Sequence, residues 1–184
     1  FNQHPPLGGI GKIKLAEAFL EQGKLNEVKE LIKDGWITAV IPKNNLGYYR
    51  AKFKKFLTSD DHISRADHLA WERKYWDLKR MLKYLPKDER ALYNARQILM
   101  SNSYGVDNAI AKVPAHLKNN PGLEFDRLRW RNRRGRLEAS LEVLYKNSNR
   151  TERQMIRPDL WWEQRKSVAR SLIYKKRYKT AYKI

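Results

Sequence analysis

Apolar residues recur at helical spacing along almost the whole chain, and sustained alternation of apolar and polar residues is nearly absent. A period of about 3.6 residues is typical of amphipathic helices, so the pattern predicts an all-α protein. The helices are expected in pairs, each pair separated by a short turn. The predicted pairs are residues 12–22 with 26–33, 64–73 with 76–84, 89–102 with 106–112, 123–134 with 138–145, and 160–174 with 177–184.

Two of the predicted turns share their chemistry, since Gly23-Lys24-Leu25 and Gly135-Arg136-Leu137 both place a glycine before a cation and a leucine. Glycine suits the left-handed residue that ends many helices. Weaker turns lie near positions 74, 105 and 176. The turns imply a repeat of about 30 to 50 residues, as in solenoids of stacked helix pairs, although irregular spacing makes the repeats degenerate. Pro42 with Asn44 and Asn45 is interpreted as a connection.

The composition describes a basic protein with enough apolar residues to fold. The 184 residues include 39 Lys and Arg against 20 Asp and Glu, a net charge of +19, and 41% are hydrophobic. The charge favours a polyanionic partner such as nucleic acid, an acidic lipid surface or a cell-wall polymer. Absence of cysteine excludes disulfide scaffolds, zinc ribbons and thiol nucleophiles. No apolar run reaches the roughly 18 residues of a membrane span.

The residue pattern gives little support for a catalytic site, a metal site or a cofactor site. We expect none of these three kinds of site in this chain. The four histidines (His4, His62, His68 and His116) lack metal-ligand spacing. The carboxylate pairs Glu124 with Asp126 and Asp60 with Asp61 could serve acid–base chemistry. Their positions favour the interpretation that they are charges at helix starts.

The densest basic segment runs from Arg127 to Arg136. On a helix, Arg127, Arg131 and Arg134 lie on one face, and cations flank both sides of Trp130. Arg127, Trp130, Arg131 and Arg134 are therefore candidates for a surface that binds an anionic polymer through guanidinium groups and an aromatic ring. The alternative is a solvated helix face that pairs with acids such as Glu124 and Glu138. Trp161 shares a helix side with Val168 and Leu172 and is predicted in the core.

Several segments together resemble the soluble lytic murein transglycosylases, specifically their N-terminal α-superhelical region. The strongest are residues 122–130, which read Gly-Leu-x-Phe-Asp-Arg-x-Arg-Trp, and 157–162, which read Arg-Pro-x-x-Trp-Trp. Residues 32–36, 64–72 and 109–114 add weaker helical signatures in the same order. The resemblance runs through nearly the whole chain.

This resemblance implies a right-handed superhelical solenoid, a horseshoe or part of a ring, formed by residues 1–184 as a single domain. In the family a separate lysozyme-like domain cleaves the β-1,4 bond between N-acetylmuramic acid and N-acetylglucosamine with 1,6-anhydro product formation, using a Glu followed by Ser. No Glu of this chain is followed by Ser. The chain starts at Phe1 and stops within a predicted helix pair, so we expect a fragment of a longer enzyme without the catalytic domain.

The resemblance further implies a periplasmic protein whose partners are peptidoglycan glycan strands and the missing catalytic domain of the parent enzyme. The chain alone is then not an enzyme, whereas the full-length parent is one. Two alternatives remain at this point. The basic segment from Arg127 to Arg136 is also compatible with an RNA-binding helical-repeat protein, and a solenoid groove is compatible with a scaffold for protein partners.

Overall fold

The structure is a computed structural model, and it describes residues 6–101, 104–148 and 155–184. In these ranges the regular structure consists of helices, without a strand, which confirms the all-α prediction. The α-helices are α1 (Gly9–Glu21), α2 (Leu25–Thr38), α3 (Lys43–Lys52), α4 (Ser59–Trp71), α5 (Tyr75–Met81), α6 (Lys87–Met100), α7 (Val106–Ala111), α8 (Pro121–Arg133), α9 (Leu137–Lys146), α10 (Pro158–Tyr174) and α11 (Tyr178–Lys183). Two 3₁₀ turns cover Leu82–Tyr84 and Ala115–Leu117.

The predicted helix pairs correspond to α1 with α2, α4 with α5, α6 with α7, α8 with α9, and α10 with α11. The expected end of the third pair's first helix, Asn102, lies outside the described residues. One prediction was wrong: Asn44 and Asn45 lie inside α3 and do not form a connection. Pro42 precedes that helix with an extended backbone, and α3 buries Leu46 and Tyr49 on one side.

Four of the helix pairs turn with the same backbone geometry. In each pair, the residue directly before the N-cap of the second helix has a left-handed φ. The values are 72° at Gly23, 56° at Arg73, 66° at Gly135 and 58° at Lys176. The N-cap residue that follows donates its N–H to the carbonyl five residues earlier. This hydrogen bond is 2.9 Å long for Lys24, 2.8 Å for Lys74, 2.9 Å for Arg136 and 2.8 Å for Arg177. This bond closes the helix end as in a Schellman motif. Arg73 and Lys176 adopt there a conformation that costs a side chain about 1 kcal/mol or more.

The chain divides into two compact units, Phe1–Tyr93 and Asn94–Ile184, and the boundary falls within α6. In the first unit the fully buried side chains include Ile13 of α1, Trp36 of α2, Phe53 after α3 and Leu78 of α5. Each lies on the apolar side of its helix or turn, as the sequence period requires. The assembly of the pairs into one solenoid domain stays a prediction.

Arg65 of α4 is a charged side chain within the first unit's core, 1% exposed. Its guanidinium donates hydrogen bonds to the carbonyls of Trp36 and Ala39, the latter at 3.0 Å, and lies 5.0 Å from the Trp36 ring centroid. Carbonyls at the end of a helix lack intrahelical donors, and Arg65 supplies them for α2. Burial lowers the pKa of Arg65 to about 10, a value at which the side chain is charged at neutral pH.

Glu17 connects α1 to α3. Its carboxylate accepts hydrogen bonds from Tyr48 at 2.6 Å and Lys52 at 2.7 Å on α3, and from Lys14 at 3.0 Å on its own helix. The hydrogen bond from Lys52, followed by that from Tyr48, lowers the pKa of Glu17 to about 2. The Glu17 side chain is only 14% exposed, so these donors replace much of its hydration.

The second unit packs α8, α9 and α10 around Phe125, Leu128, Leu144 and Trp161, all buried. The rings of Phe125 and Trp161 meet edge to face with centroids 5.4 Å apart. Trp161 is 2% exposed, which confirms its predicted place in the core. Because neither α8 nor α10 could bury these rings alone, the contact fixes the two helices against each other.

A buried ion pair joins α6 and α8 within the second unit. Arg96 donates from Nε to Asp126 at 2.7 Å, with side chains 0% and 7% exposed. Gly122 lies one helical turn before Asp126 and leaves room for the guanidinium, since a Cβ at this position would overlap it. The glycine, the arginine and the aspartate therefore form one packing arrangement.

Candidate functional site

The predicted basic segment from Arg127 to Arg136 covers the second half of α8 and the turn into α9. Asn120 caps this helix, its side chain accepting a hydrogen bond from the Leu123 N–H at 3.1 Å, and Pro121 occupies the first helical position. Both are residue types favoured at these positions. The segment is therefore helical as predicted, and its cations lie on different sides of the helix.

Two arginines of this segment bind backbone carbonyls of the protein itself. Arg131 donates to the Ala139 carbonyl at 2.7 Å and to the Glu142 carboxylate at 3.1 Å on α9. Arg133 donates to the carbonyls of Leu99, Met100 and Ser101 at 3.2, 3.3 and 2.8 Å. Arg133 thus supplies donors to the end of α6, as Arg65 does for α2. Part of the basic segment stabilises helix ends.

Trp130 lies beneath the cations instead of projecting from them. It is 8% exposed, and the guanidinium carbons of Arg134 and Arg136 lie 5.5 and 4.7 Å from its ring centroid. Such contacts stabilise by about 0.5–1 kcal/mol each at exposed sites. A sugar or base would have to displace these side chains before it could stack on the ring.

Of the remaining candidates, Arg127 is half-buried and Arg134 is exposed. The acids expected to neutralise the segment have other partners as well: Glu124 lies 2.5 Å from Lys146, and Glu138 pairs with Arg177. The exposed cations of the segment are Arg133, Arg134 and Arg136. Binding of an anionic polymer by Arg127, Trp130, Arg131 and Arg134 stays a prediction.

A second basic site, which the sequence analysis did not single out, lies in the unit Phe1–Tyr93. A pocket of about 270 Å³ opens between the end of α3 and the start of α4. Arg50 and Lys54 line one side, Thr58 and Ser59 at the start of α4 line another, and His62 and Tyr84 complete the wall. The sequence carries one signal for this place, the four cations of residues 50–55 shortly before a Thr-x-x-Asp capping box.

His62 is held within this wall by aromatic contacts. Its ring centroid lies 5.4 Å from that of Trp36 and 6.3 Å from that of Tyr84. Burial lowers the pKa of His62, the positive charges of Arg50 on α3 and Arg65 on α4 lower it further, and the negative charge of Asp61 opposes them. His62 is therefore mainly neutral at pH 7.

Within residues 6–101, 104–148 and 155–184, no three His, Asp or Glu side chains are grouped so that they could hold a metal ion. The helices of the same ranges include none with the length and apolar character needed to cross a bilayer.

Comparisons of the chain with protein-family models, with curated protein sequences and with solved structures gave no match. The resemblance to the lytic transglycosylases, and the periplasmic location that it implies, therefore stay predictions from the sequence.

Proposed function

We propose that this chain is a non-catalytic helical scaffold of a periplasmic lytic transglycosylase, and that it contacts peptidoglycan while a separate domain of the parent enzyme cleaves the glycan. The observation that supports the proposal most is the net charge of +19 on a series of helix pairs that share one turn geometry. Tandem helix pairs are the units from which extended binding surfaces are built.

The physical basis of the proposed contact is electrostatic. Peptidoglycan carries carboxylates on its stem peptides, and a strongly basic surface attracts such a polymer. At physiological ionic strength the screening length is about 8 Å. Exposed cations such as Arg134 and Arg136 can contribute at that range, whereas Arg131 and Arg133 already bind protein carbonyls.

Binding to purified sacculi tests the contact directly. The chain is mixed with sacculi, pelleted by centrifugation, and quantified in the pellet at two salt concentrations. We expect binding that weakens with added salt, and weaker binding to sacculi whose carboxylates have been capped as neutral amides. RNA as a competitor distinguishes the alternative function. Equal binding to intact and carboxylate-capped sacculi, with full displacement by RNA, would contradict the proposal.

The assignment of catalysis to another domain is tested on the same material. The isolated chain is expected to release no anhydro-muropeptides from sacculi, as measured by chromatography and mass spectrometry. Release of these products by the purified chain would show that it carries its own catalytic residues.

We infer that the helix pairs stack in a right-handed superhelical solenoid. Small-angle X-ray scattering tests this arrangement, because a compact domain of this length has a radius of gyration near 16 Å. An arched solenoid is expected to exceed that value clearly, and a measured value close to it would contradict the stacking.

A further inference from the structure

We propose that the pocket between the end of α3 and the start of α4 binds a phosphoryl group, carried either by inorganic phosphate or by the phosphate monoester of a small molecule. The inference is independent of the proposed scaffold function, because none of the pocket residues belongs to the basic segment of α8. It rests on three features of the pocket: its charge, the helix start that forms part of its wall, and a buried histidine whose Nδ1 has no hydrogen-bond partner among the described residues.

The pocket is positively charged. Arg50 and Lys54 both line it, and among the described residues that form its wall none is Asp or Glu. The Arg50 guanidinium lies 4.4 Å from the Tyr84 ring centroid, which holds it beside the pocket, and its Nε is buried with no hydrogen-bond partner in the described part of the chain. Two cations at one concave site repel each other, and a bound anion would relieve that repulsion.

The start of α4 adds donors and a partial positive charge. Thr58 and Asp61 form a capping box: the Asp61 carboxylate accepts from the Thr58 N–H at 2.7 Å and hydroxyl at 2.8 Å. Asp61 is thereby held by the cap and does not line the pocket. The N–H groups of Ser59 and Asp60 have no intrahelical acceptor, as at every helix start. The 13-residue helix directs its dipole toward them.

His62 is the feature that points to a ligand. The side chain is 8% exposed, yet it lines the pocket, and its Nδ1 is buried without a hydrogen-bond partner among the described residues. A buried polar atom left unpaired costs about 1–3 kcal/mol. Packing against Trp36 and Tyr84 prevents the ring from turning away. An oxyanion in the pocket would accept a hydrogen bond from the imidazole.

The number and directions of the donors favour a phosphoryl group over a carboxylate. The residues that line the pocket on α3, on the segment after it and on α4 carry guanidinium, ammonium, hydroxyl and imidazole groups. A carboxylate offers two oxygens in one plane, whereas a phosphoryl group offers three or four in a tetrahedron. The volume of about 270 Å³ exceeds that of a phosphate ion, so a small organic group fits beside it.

An NMR titration at constant ionic strength tests the site, with inorganic phosphate as the probe. The Ser59 amide and the His62 ring signals should shift saturably, with a dissociation constant of about 1 mM, a value typical of so small a ligand. Replacing a charged donor removes a charge-assisted hydrogen bond, so Lys54→Gln should weaken binding about tenfold. Lys54 is exposed, so this variant keeps the core intact. His62→Phe, followed at the Ser59 amide, should weaken binding to a similar degree.

The control removes two exposed cations from α2, in the variant Lys29→Gln with Lys33→Gln. It changes the net charge by more than Lys54→Gln does and leaves the pocket residues in place. Equal weakening in the control and in Lys54→Gln would show that phosphate senses only the overall charge, and the proposal would fail.

The choice of anion separates the remaining outcomes. Glucose 6-phosphate binding at least as tightly as phosphate would identify a monoester as the source of the phosphoryl group, and weaker binding would identify free phosphate; both support the site. Acetate binding as tightly as phosphate would overturn the phosphoryl assignment. Shifts that grow linearly with phosphate without saturating would overturn the pocket altogether.

Discussion

Removing the carboxylate of Asp126 should destabilise the protein more than any surface change, because it leaves the Arg96 guanidinium buried without that partner. The pair is 2.7 Å long, and its side chains are 0% and 7% exposed. Breaking a pair of this kind by removing one partner costs about 3–5 kcal/mol. Whole domains are stable by about 5–15 kcal/mol. Asp126→Ala should therefore remove a large part of the stability.

Urea unfolding followed by far-UV circular dichroism measures this loss. With a denaturant dependence of about 2 kcal/mol per molar urea, the midpoint should fall by about 1.5–2.5 M. The matched control is Glu163→Ala, which removes a carboxylate 60% exposed that pairs with Lys166. Exposed pairs contribute about 0–1 kcal/mol, so the control should shift the midpoint little.

A double replacement, Arg96→Met with Asp126→Leu, separates the cost of an unpaired charge from the value of the pair. Apolar residues of similar volume often replace a buried pair without loss. The free energy of unfolding of the double variant should therefore lie within about 1 kcal/mol of that of the parent chain. The reasoning is refuted if Asp126→Ala costs less than about 1 kcal/mol, or if the double variant is as unstable as the single one.

Three further predictions use the same unfolding assay. Arg73→Gly should stabilise the protein by about 1 kcal/mol, and Gly135→Ala should destabilise it by a similar amount, because both positions have a left-handed φ. A loss of stability in Arg73→Gly and a gain in Gly135→Ala would contradict the turn geometry. The free energy of unfolding should fall as the pH decreases below 6.5, the ordinary pKa of His62, because the pKa is lower in the folded state and the unfolded state binds more protons. In His62→Asn the free energy of unfolding should change less between pH 7.5 and 5.5. An unchanged pH dependence in this variant would argue against His62 as its origin. Glu17→Gln should lower the free energy of unfolding by about 1–2 kcal/mol at pH 7, and the parent chain should lose this contribution as the pH falls from 4.5 toward 2. Equal stability of the two chains at pH 7 would show that the hydrogen bonds from the three donors to Glu17 contribute no net stability.

The helix pairs could be predicted from the sequence because each carries a local signal. Apolar residues at helical spacing mark the buried face, and Gly23 and Gly135 mark turns that need a left-handed residue. The helix α3 lacked such a signal. Its buried side chains Leu46 and Tyr49 are few, and the polar residues after Pro42 are typical of loops.

The buried charges could not be predicted, because their environment is made by other segments. Arg65 and Arg96 look like surface residues in the sequence, and both are almost fully buried. Their partners lie 26 or more positions away. Trp130 is a different case: the sequence suggested it for a binding surface, and its own sequence neighbours Arg134 and Arg136 cover it.

The repeated turn has a consequence for how such a chain changes over generations. Its shape is set by main-chain hydrogen bonds, and glycine, arginine and lysine all occur at its left-handed position. The side chains at successive turns can therefore differ widely while the path of the backbone stays the same.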